Sequence, residues 1–338
     1  MSSLATGGLL ILLAAVMNAS FTLPMKRMPH WQWENIWLVW SGTALIALPF
    51  LAAIYTVPHL FAGYKTVDPA TLLRVVLFGA AWGVAQVLFG LSVSAIGIAL
   101  TFSLVLGISA AVGTVVPFVR LHPDLLLTRI GLYVWCGVAV VSLGMVLCAI
   151  AGRLREKEAG QLVAGSTTPS FARGLLLACI SGLCASFMNL GISFASPLIA
   201  MAAAHGSQPY WQLNAVWLPL LIGGAVPNIL YCIFLLQRRS TARKFAETST
   251  SSYWLLCVLM AILWFGSSLL FGMANFYLGS LGPVLGWPIF MSLIVILASL
   301  LGWVTGEWRT TSARPFRFQI AGITLLTLAV FLFARAGS

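Results

Sequence analysis

Residues 174–194 read GLLLACISGLCASFMNLGISF, with no charged side chain from end to end. A helix needs about 20 mostly apolar residues to cross the hydrocarbon core of a bilayer, and this run has the length and the continuity. A transmembrane barrel would instead need alternating strands of about 9–11 residues, and nothing alternates here. Cutting the rest of the chain at charges, Pro/Gly clusters and polar runs predicts ten such spans, at 4–24, 34–57, 71–94, 97–119, 129–151, 173–196, 210–236, 253–277, 283–305 and 318–335. Composition demands the same. Of 338 residues, 60% are hydrophobic and 7% charged, and the mean hydropathy is +1.01. Soluble domains carry about 25% charged residues, so the excess apolar surface must face lipid.

The net charge of +11 would suggest a nucleic-acid partner in a soluble protein. In a membrane protein Lys and Arg collect in the cytoplasmic loops, so no nucleic-acid partner is predicted. The odd-numbered loops, which include Lys26, Arg153, Arg239 and Arg314, hold 13 of the 18 basic residues. The positive-inside rule places those loops in the cytoplasm and both termini outside, in a multi-pass protein of a bacterial inner membrane. The N-terminal MSSLATGGLLILLAAVMNASF lacks a basic leader region and is read as the first retained span. The six cysteines fall inside apolar runs with no CxxC spacing, and are read as small core residues.

The charged stretch Gly152 to Ser170, which contains REKE, divides the spans five and five. This predicts one repeat over 1–151, a cytoplasmic linker over 152–172 and a second repeat over 173–338. An odd number of spans per half inverts the second half, and sequence echoes mark the duplication. Gly8-Leu9-Leu10 and Ala19-Ser20-Phe21 recur as Gly174-Leu175-Leu176 and Ala185-Ser186-Phe187. Trp31-Gln32 recurs as Trp211-Gln212, and Trp82, Phe89-Gly90 and Gly97 recur as Trp264, Phe271-Gly272 and Gly279. The offset between halves grows between the first two blocks, which locates an insertion in the Pro197 to Tyr210 loop. The predicted fold is thus an all-α integral membrane protein of ten transmembrane helices in two inverted five-helix repeats. Such a pair offers two near-equivalent packings, one open to each side, which is the geometry of alternating access.

Five stretches carry a family resemblance: Pro24-Met25-Lys26 through Trp31, Trp33 and Glu34; Leu77-Phe78-Gly79-Ala80-Ala81-Trp82-Gly83; Gly107 to Gly113-Thr114; Gly223-Gly224-Ala225 with Asn228; and Glu307-Trp308 with Arg314-Pro315. Together they resemble the L-rhamnose/proton symporter family of the drug/metabolite transporter superfamily. The resemblance implies ten helices in two inverted repeats, a cavity lined mainly by helices 1–4 and 6–9, and proton-coupled uptake of a deoxy sugar. In helices 8 and 9 this chain departs from the family's Gln, His and Asp, carrying Trp264-Phe265-Gly266-Ser267-Ser268 and Gly286-Trp287-Pro288 instead.

The residues themselves constrain the cargo. None of the seven carboxylates is placed deep in a span, and a buried charge costs about 2.5–3.5 kcal/mol even on the lenient insertion scale. A carrier of ions keeps a buried counter-charge, so the substrate is predicted to be neutral. Mid-span amides, hydroxyls and indoles suit a sugar, whose hydroxyls need amides and whose C–H faces pack on aromatic rings. Trp82 and Gln86, spaced i,i+4 on one helical face, are the first candidates, with Asn18, Asn189, Trp264, Ser268, Asn275 and Trp287 beside them. The competing reading is that mid-span amides act as packing glue between helices. Trp33, Trp37 and Trp40 form an i, i+4, i+7 stripe that reads as an interfacial belt. Ser103, Gly107 and Ala111 make a small-residue face for close helix contact.

Glu34 and Glu307 are the candidates for proton coupling. For Glu34 the alternative is a first-turn acid favoured by the helix dipole and paired with Lys26 or Arg27. No HExxH, Ser/His/Asp cluster or paired mid-membrane carboxylates suggest an enzyme, and no cofactor or metal is implied. The predicted partners are a neutral sugar, a proton and the lipid bilayer. An exporter of lipophilic metabolites or drugs on the same fold is the alternative, and Gly286-Trp287-Pro288 would suit it.

Overall fold

The structure, a computed structural model, describes residues 3–160, 168–306, 308–309 and 311–337. Ten helices in it are long and apolar enough to cross a membrane. They are α1 (Ser3–Ser20), α2 (Trp33–Thr56), α3 (Pro69–Ile96), α4 (Ile98–Leu121), α5 (Arg129–Glu158), α6 (Thr168–Ser193), α7 (Asn214–Arg239), α8 (Ser251–Tyr277), α9 (Gly282–Val304) and α10 (Ala313–Ala336). No strand occurs among the described residues.

Three details depart from an unbroken run of simple spans. Within α2, residues Gly42–Ala47 form a π-turn just before Pro49. Proline has no N–H and crowds the carbonyl four residues back, and the wider turn accommodates that ring without ending the helix. Helix α5 runs past the predicted end at 151 to Glu158, because Arg153 to Glu158 are all good helix formers. The insertion placed between Pro197 and Tyr210 contains most of a short helix, Ser196–Ala204, started by Pro197.

The chain forms two compact units, each drawn from both halves of the sequence. In the unit of residues 7–84 and 191–277, α3 and α7 meet backbone to backbone. A Cβ added at Gly79 would stand 1.7 Å from the Leu220 carbonyl oxygen, and one at Gly223 would stand 2.1 Å from that of Val76. Gly83 faces Gly224 in the same way. Lipid tails are as apolar as leucine, so helices in a membrane gain little from burial alone and associate through such close packing. The small motif Gly79-x-x-x-Gly83 thus has a structural purpose that its sequence spacing suggests.

In the unit of residues 1–6, 85–190 and 278–338, α5 and α10 pack by the same device. Phe333 covers Gly137, Leu326 covers Gly144, and Cys148 sits against Gly322. Gln319 of α10 is buried and donates from Nε2 to Ser299 Oγ of α9 at 2.7 Å. The small face of α4 does serve close contact: Gly107 lies against Met145 of α5. Of the cysteines, Cys148, Cys232 and Cys257 are buried as expected, whereas Cys136 and Cys179 are exposed, because their positions fall on the outer faces of their helices.

Gly79→Val forces α3 from α7 and is expected to destabilise the protein by about 1–3 kcal/mol or more. Gly90→Val, at a position with nothing within 4 Å of an added Cβ, is expected to leave the melting temperature in detergent within a degree or two of wild type. Equal melting temperatures for the two variants would refute the contact.

Candidate functional site

The 7–84 and 191–277 unit gathers a continuous group of aromatic rings. Trp33 stacks on Trp37 (centroids 5.2 Å apart), Trp37 lies 4.4 Å from Trp40, and Trp40 meets Trp264 edge to face at 5.3 Å. Trp264 in turn stacks on Trp82 at 5.6 Å with an interplanar angle of 28°. The tryptophan stripe of α2 therefore turns inward, and Trp40 is 1% exposed. The interfacial-belt reading is corrected for Trp40, which is buried against Trp264 of α8, while Trp33 and Trp37 stay half-buried beside Tyr231 and Asn228 of α7.

Asn228 of α7 organises one side of this group. Its Oδ1 accepts from Trp37 Nε1 at 3.1 Å, and its Nδ2 donates to the carbonyls of Gly224 (2.9 Å) and Gly83 (3.4 Å). The amide can reach both α2 and α3 because the glycines bring α3 so near. Trp82 packs directly over Gly224, where an added Cβ would be 2.6 Å from its ring. Trp40 Nε1 and Ser267 Oγ are buried in this unit with no hydrogen-bond partner. Sequence reasoning did not place Trp40, Asn228 or Ser267 in the site. The available signal was the i, i+4, i+7 stripe, whose inward direction depends on α8.

At the start of α2, Glu34 is fully buried. Its Oε2 accepts from Arg239 Nη1 at 3.0 Å and its Oε1 from Thr241 Oγ1 at 2.9 Å. The partner is thus Arg239, at the end of α7, and not the sequence-adjacent Lys26 or Arg27. Asn35 Nδ2 donates to the Thr241 carbonyl at 3.0 Å, and Trp31 Nε1 to the Lys244 carbonyl at 3.2 Å. Lys244 Nζ also donates to the His30 carbonyl. Together these bonds tie residues 30–35 to the segment that follows α7. At the other end of α2, outside the spans, burial holds the Tyr64 hydroxyl above its ordinary range, so it stays a neutral donor to the Ala215 carbonyl at 2.8 Å.

The 1–6, 85–190 and 278–338 unit has its own polar knot. Asn189 Nδ2 donates to the carbonyls of Gly113 (2.7 Å) and Pro283 (2.9 Å), linking α6 to α4 and α9. Trp287 Nε1 donates to the Ser109 carbonyl at 3.0 Å, with its ring edge against Gly113. Asn189 and Trp287 are thus brought together at one glycine.

The named candidates sort by what already occupies them. Asn189 and Trp287 hold helices together, Ser268 Oγ donates to the Trp264 carbonyl at 3.3 Å, and Asn275 Nδ2 donates to that of Phe271 at 2.8 Å. Asn275 Oδ1 remains without a partner. Gln86 and Asn18 are half-buried, and their side chains make no hydrogen bond among the described residues. Glu307 lies outside the described residues. No cluster of metal-ligating side chains occurs among the described residues.

Comparison with known proteins adds the family. The family model of the L-rhamnose-proton symport protein (RhaT) matches residues 1–335. The L-rhamnose-proton symporter of Klebsiella pneumoniae (strain 342) is 27% identical over 325 residues, covering 94% of each chain. That of Cronobacter sakazakii is 27% identical over 337 residues, 97% of each chain, and that of Salmonella gallinarum 28% over 325 residues, 94% of each.

The Glu34 geometry predicts an asymmetry. Arg239→Ala leaves a buried carboxylate with only the Thr241 hydroxyl and is expected to cost about 1–3 kcal/mol. Glu34→Gln leaves a guanidinium that is half in solvent and can rehydrate, so its cost is smaller. Thermal unfolding of both variants in detergent checks the order, and the reverse order would refute the assignment.

Proposed function

The chain belongs to the L-rhamnose-proton symporter family, and on that premise we propose that Trp82 and Gln86 contact the sugar as it carries L-rhamnose inward with a proton. It is a transporter of a bacterial membrane and not an enzyme. The observation that carries the residue assignment is the division among interior amides. Asn189, Asn214, Asn228 and Asn275 all donate to protein acceptors, whereas Gln86 and Asn18 donate to none among the described residues. An amide is left half-buried and unbonded only at a cost, unless a ligand or water completes it. A pyranose supplies hydroxyls that complete such an amide.

The inverted repeat gives this assignment a symmetry. Trp82 and Trp264 are the equivalent positions of the two repeats, and they stack on each other. In the inverted-repeat reading such a contact lies by the pseudo-two-fold axis, where transporters of this kind bind their substrate. The basic loops face the cytoplasm and both termini face outward in this proposal. Asn189 and Trp287 then serve the packing of their unit, and Ser268 and Asn275 act through α8.

Radiolabelled L-rhamnose uptake into proteoliposomes tests the proposal. Saturable uptake is expected, stimulated by an inward proton gradient. Gln86→Ala and Asn18→Ala are each expected to weaken half-saturation about 2- to 10-fold, the size of one or two neutral hydrogen bonds, with unchanged melting temperatures. Uptake that ignores the gradient would refute symport, and unchanged half-saturation in both variants would refute the contacts.

A further inference from the structure

Two carboxylates are buried among the described residues, Glu34 and Glu156. They differ in what they face. Glu34 has a guanidinium and a hydroxyl, whereas Glu156, 3% exposed, has a single partner: its Oε1 accepts from the backbone N–H of Ala99 at 2.8 Å. Its Oε2 is buried with no hydrogen-bond partner among the described residues.

The place is built for it. Helices α3 and α4 are joined by one residue, Gly97, held at φ 88° and ψ 162°, where a side chain would be strained. A glycine at that position brings no capping side chain, so the first N–H groups of α4 need an acceptor from elsewhere. Glu156 reaches in from α5 to supply it. Gly152, one turn earlier on α5, makes the approach possible, since a Cβ there would be 2.2 Å from Ala99 Cβ. Ser92 ties the same hairpin, donating to the Gly174 carbonyl of α6 at 2.8 Å and lying 3.1 Å from Thr101 Oγ1.

Among the described residues no ion pair to Glu156 is formed. On α5 itself, Arg153 lies over the Phe171 ring at 4.4 Å, Arg155 over Trp308 at 5.1 Å, and Glu158 is taken by Ser312. Lys157 and, at the start of α6, Arg173 are exposed. The adjoining turns of α3 and α4 carry no titratable side chain.

We propose that Glu156 is the proton-binding carboxylate of the transport cycle. This rests on the symport reading above. The carboxylate is compatible with two forms. Ionised, it caps α4 with a full negative charge at the positive end of the helix dipole, but Oε2 stays uncompensated. With a proton bound on Oε2, the Oε1 bond to Ala99 remains while the buried charge is gone and the cap is weaker. Proton uptake therefore loosens α5 from the α3–α4 hairpin, and proton release tightens it. Glu34 differs in that both of its oxygens are already answered, by Arg239 and Thr241.

The test uses the full chain in proteoliposomes, with three readouts: counterflow of labelled L-rhamnose without a gradient, accumulation driven by an inward proton gradient, and alkalinisation of the medium on adding L-rhamnose. One pH unit drives about tenfold accumulation at one proton per sugar. Glu156→Gln is expected to keep counterflow, accumulate to a ratio of about one, and lose the alkalinisation. Glu156→Asp, which keeps an acid on a shorter stem, is expected to retain alkalinisation with a shifted pH profile. A Gln variant that still accumulates sugar and moves protons would overturn the proposal, as would an Asp variant with the wild-type pH profile. Should wild type itself move no protons with L-rhamnose, the symport reading falls and takes this one with it.

Discussion

The backbone contact between α3 and α7 is the constraint on which the geometry of the 7–84 and 191–277 unit depends. With the carbonyls of Leu220 and Val76 lying where a methyl on Gly79 or Gly223 would have to be, the two helices are as near as helices can come. That closeness lets one amide, Asn228, serve three elements, bonding α7 to itself, α7 to α3 and α7 to α2. It also sets the benzo ring of Trp82 against Gly224, while the same indole stacks on Trp264. Substituting any of these small residues would move the aromatic group as well as the helices, because the rings rest on the glycines. Packing and site are one structure here.

Charge follows a related logic. Only two described acids are buried, and each stands at a helix end where backbone or cation can answer it. Glu34 joins the start of α2 to the end of α7 through Arg239 and Thr241, and the neighbouring bonds of Trp31, Asn35 and Lys244 make that junction rigid. Glu156 meets a helix N-terminus in place of a side chain. The bilayer core between the helix ends is left to amides, hydroxyls and indoles, in keeping with a neutral cargo.

Much of this was legible in the sequence, for reasons that differ from residue to residue. The ten helices could be read because a membrane span is a property of consecutive residues, and the run Gly174 to Phe194 needs no knowledge of its neighbours. Trp82 and Trp264 could be paired from their matching surroundings, and the structure stacks them. The charged tail of α5 was harder. Residues Arg153 to Glu158 look like loop by hydropathy, yet they continue the helix, and Glu156 is buried because Gly152 admits Ala99. Trp40 likewise has the spacing of an interfacial residue and the environment of a core one.

The sequence alone determined that the chain has ten segments long and apolar enough to cross a membrane and that they are almost free of charge. These follow from the local free energy of placing each segment in hydrocarbon, which is set by composition and order. Only the tertiary structure decided which interior amides and indoles are already engaged. Asn189, Asn228 and Trp287 are committed to carbonyls on other helices, while Gln86 and Asn18 are not, and Glu34 finds its cation 205 residues away. A hydrogen bond forms only within about 3 Å, and distances between helices are fixed by the glycines that let them touch.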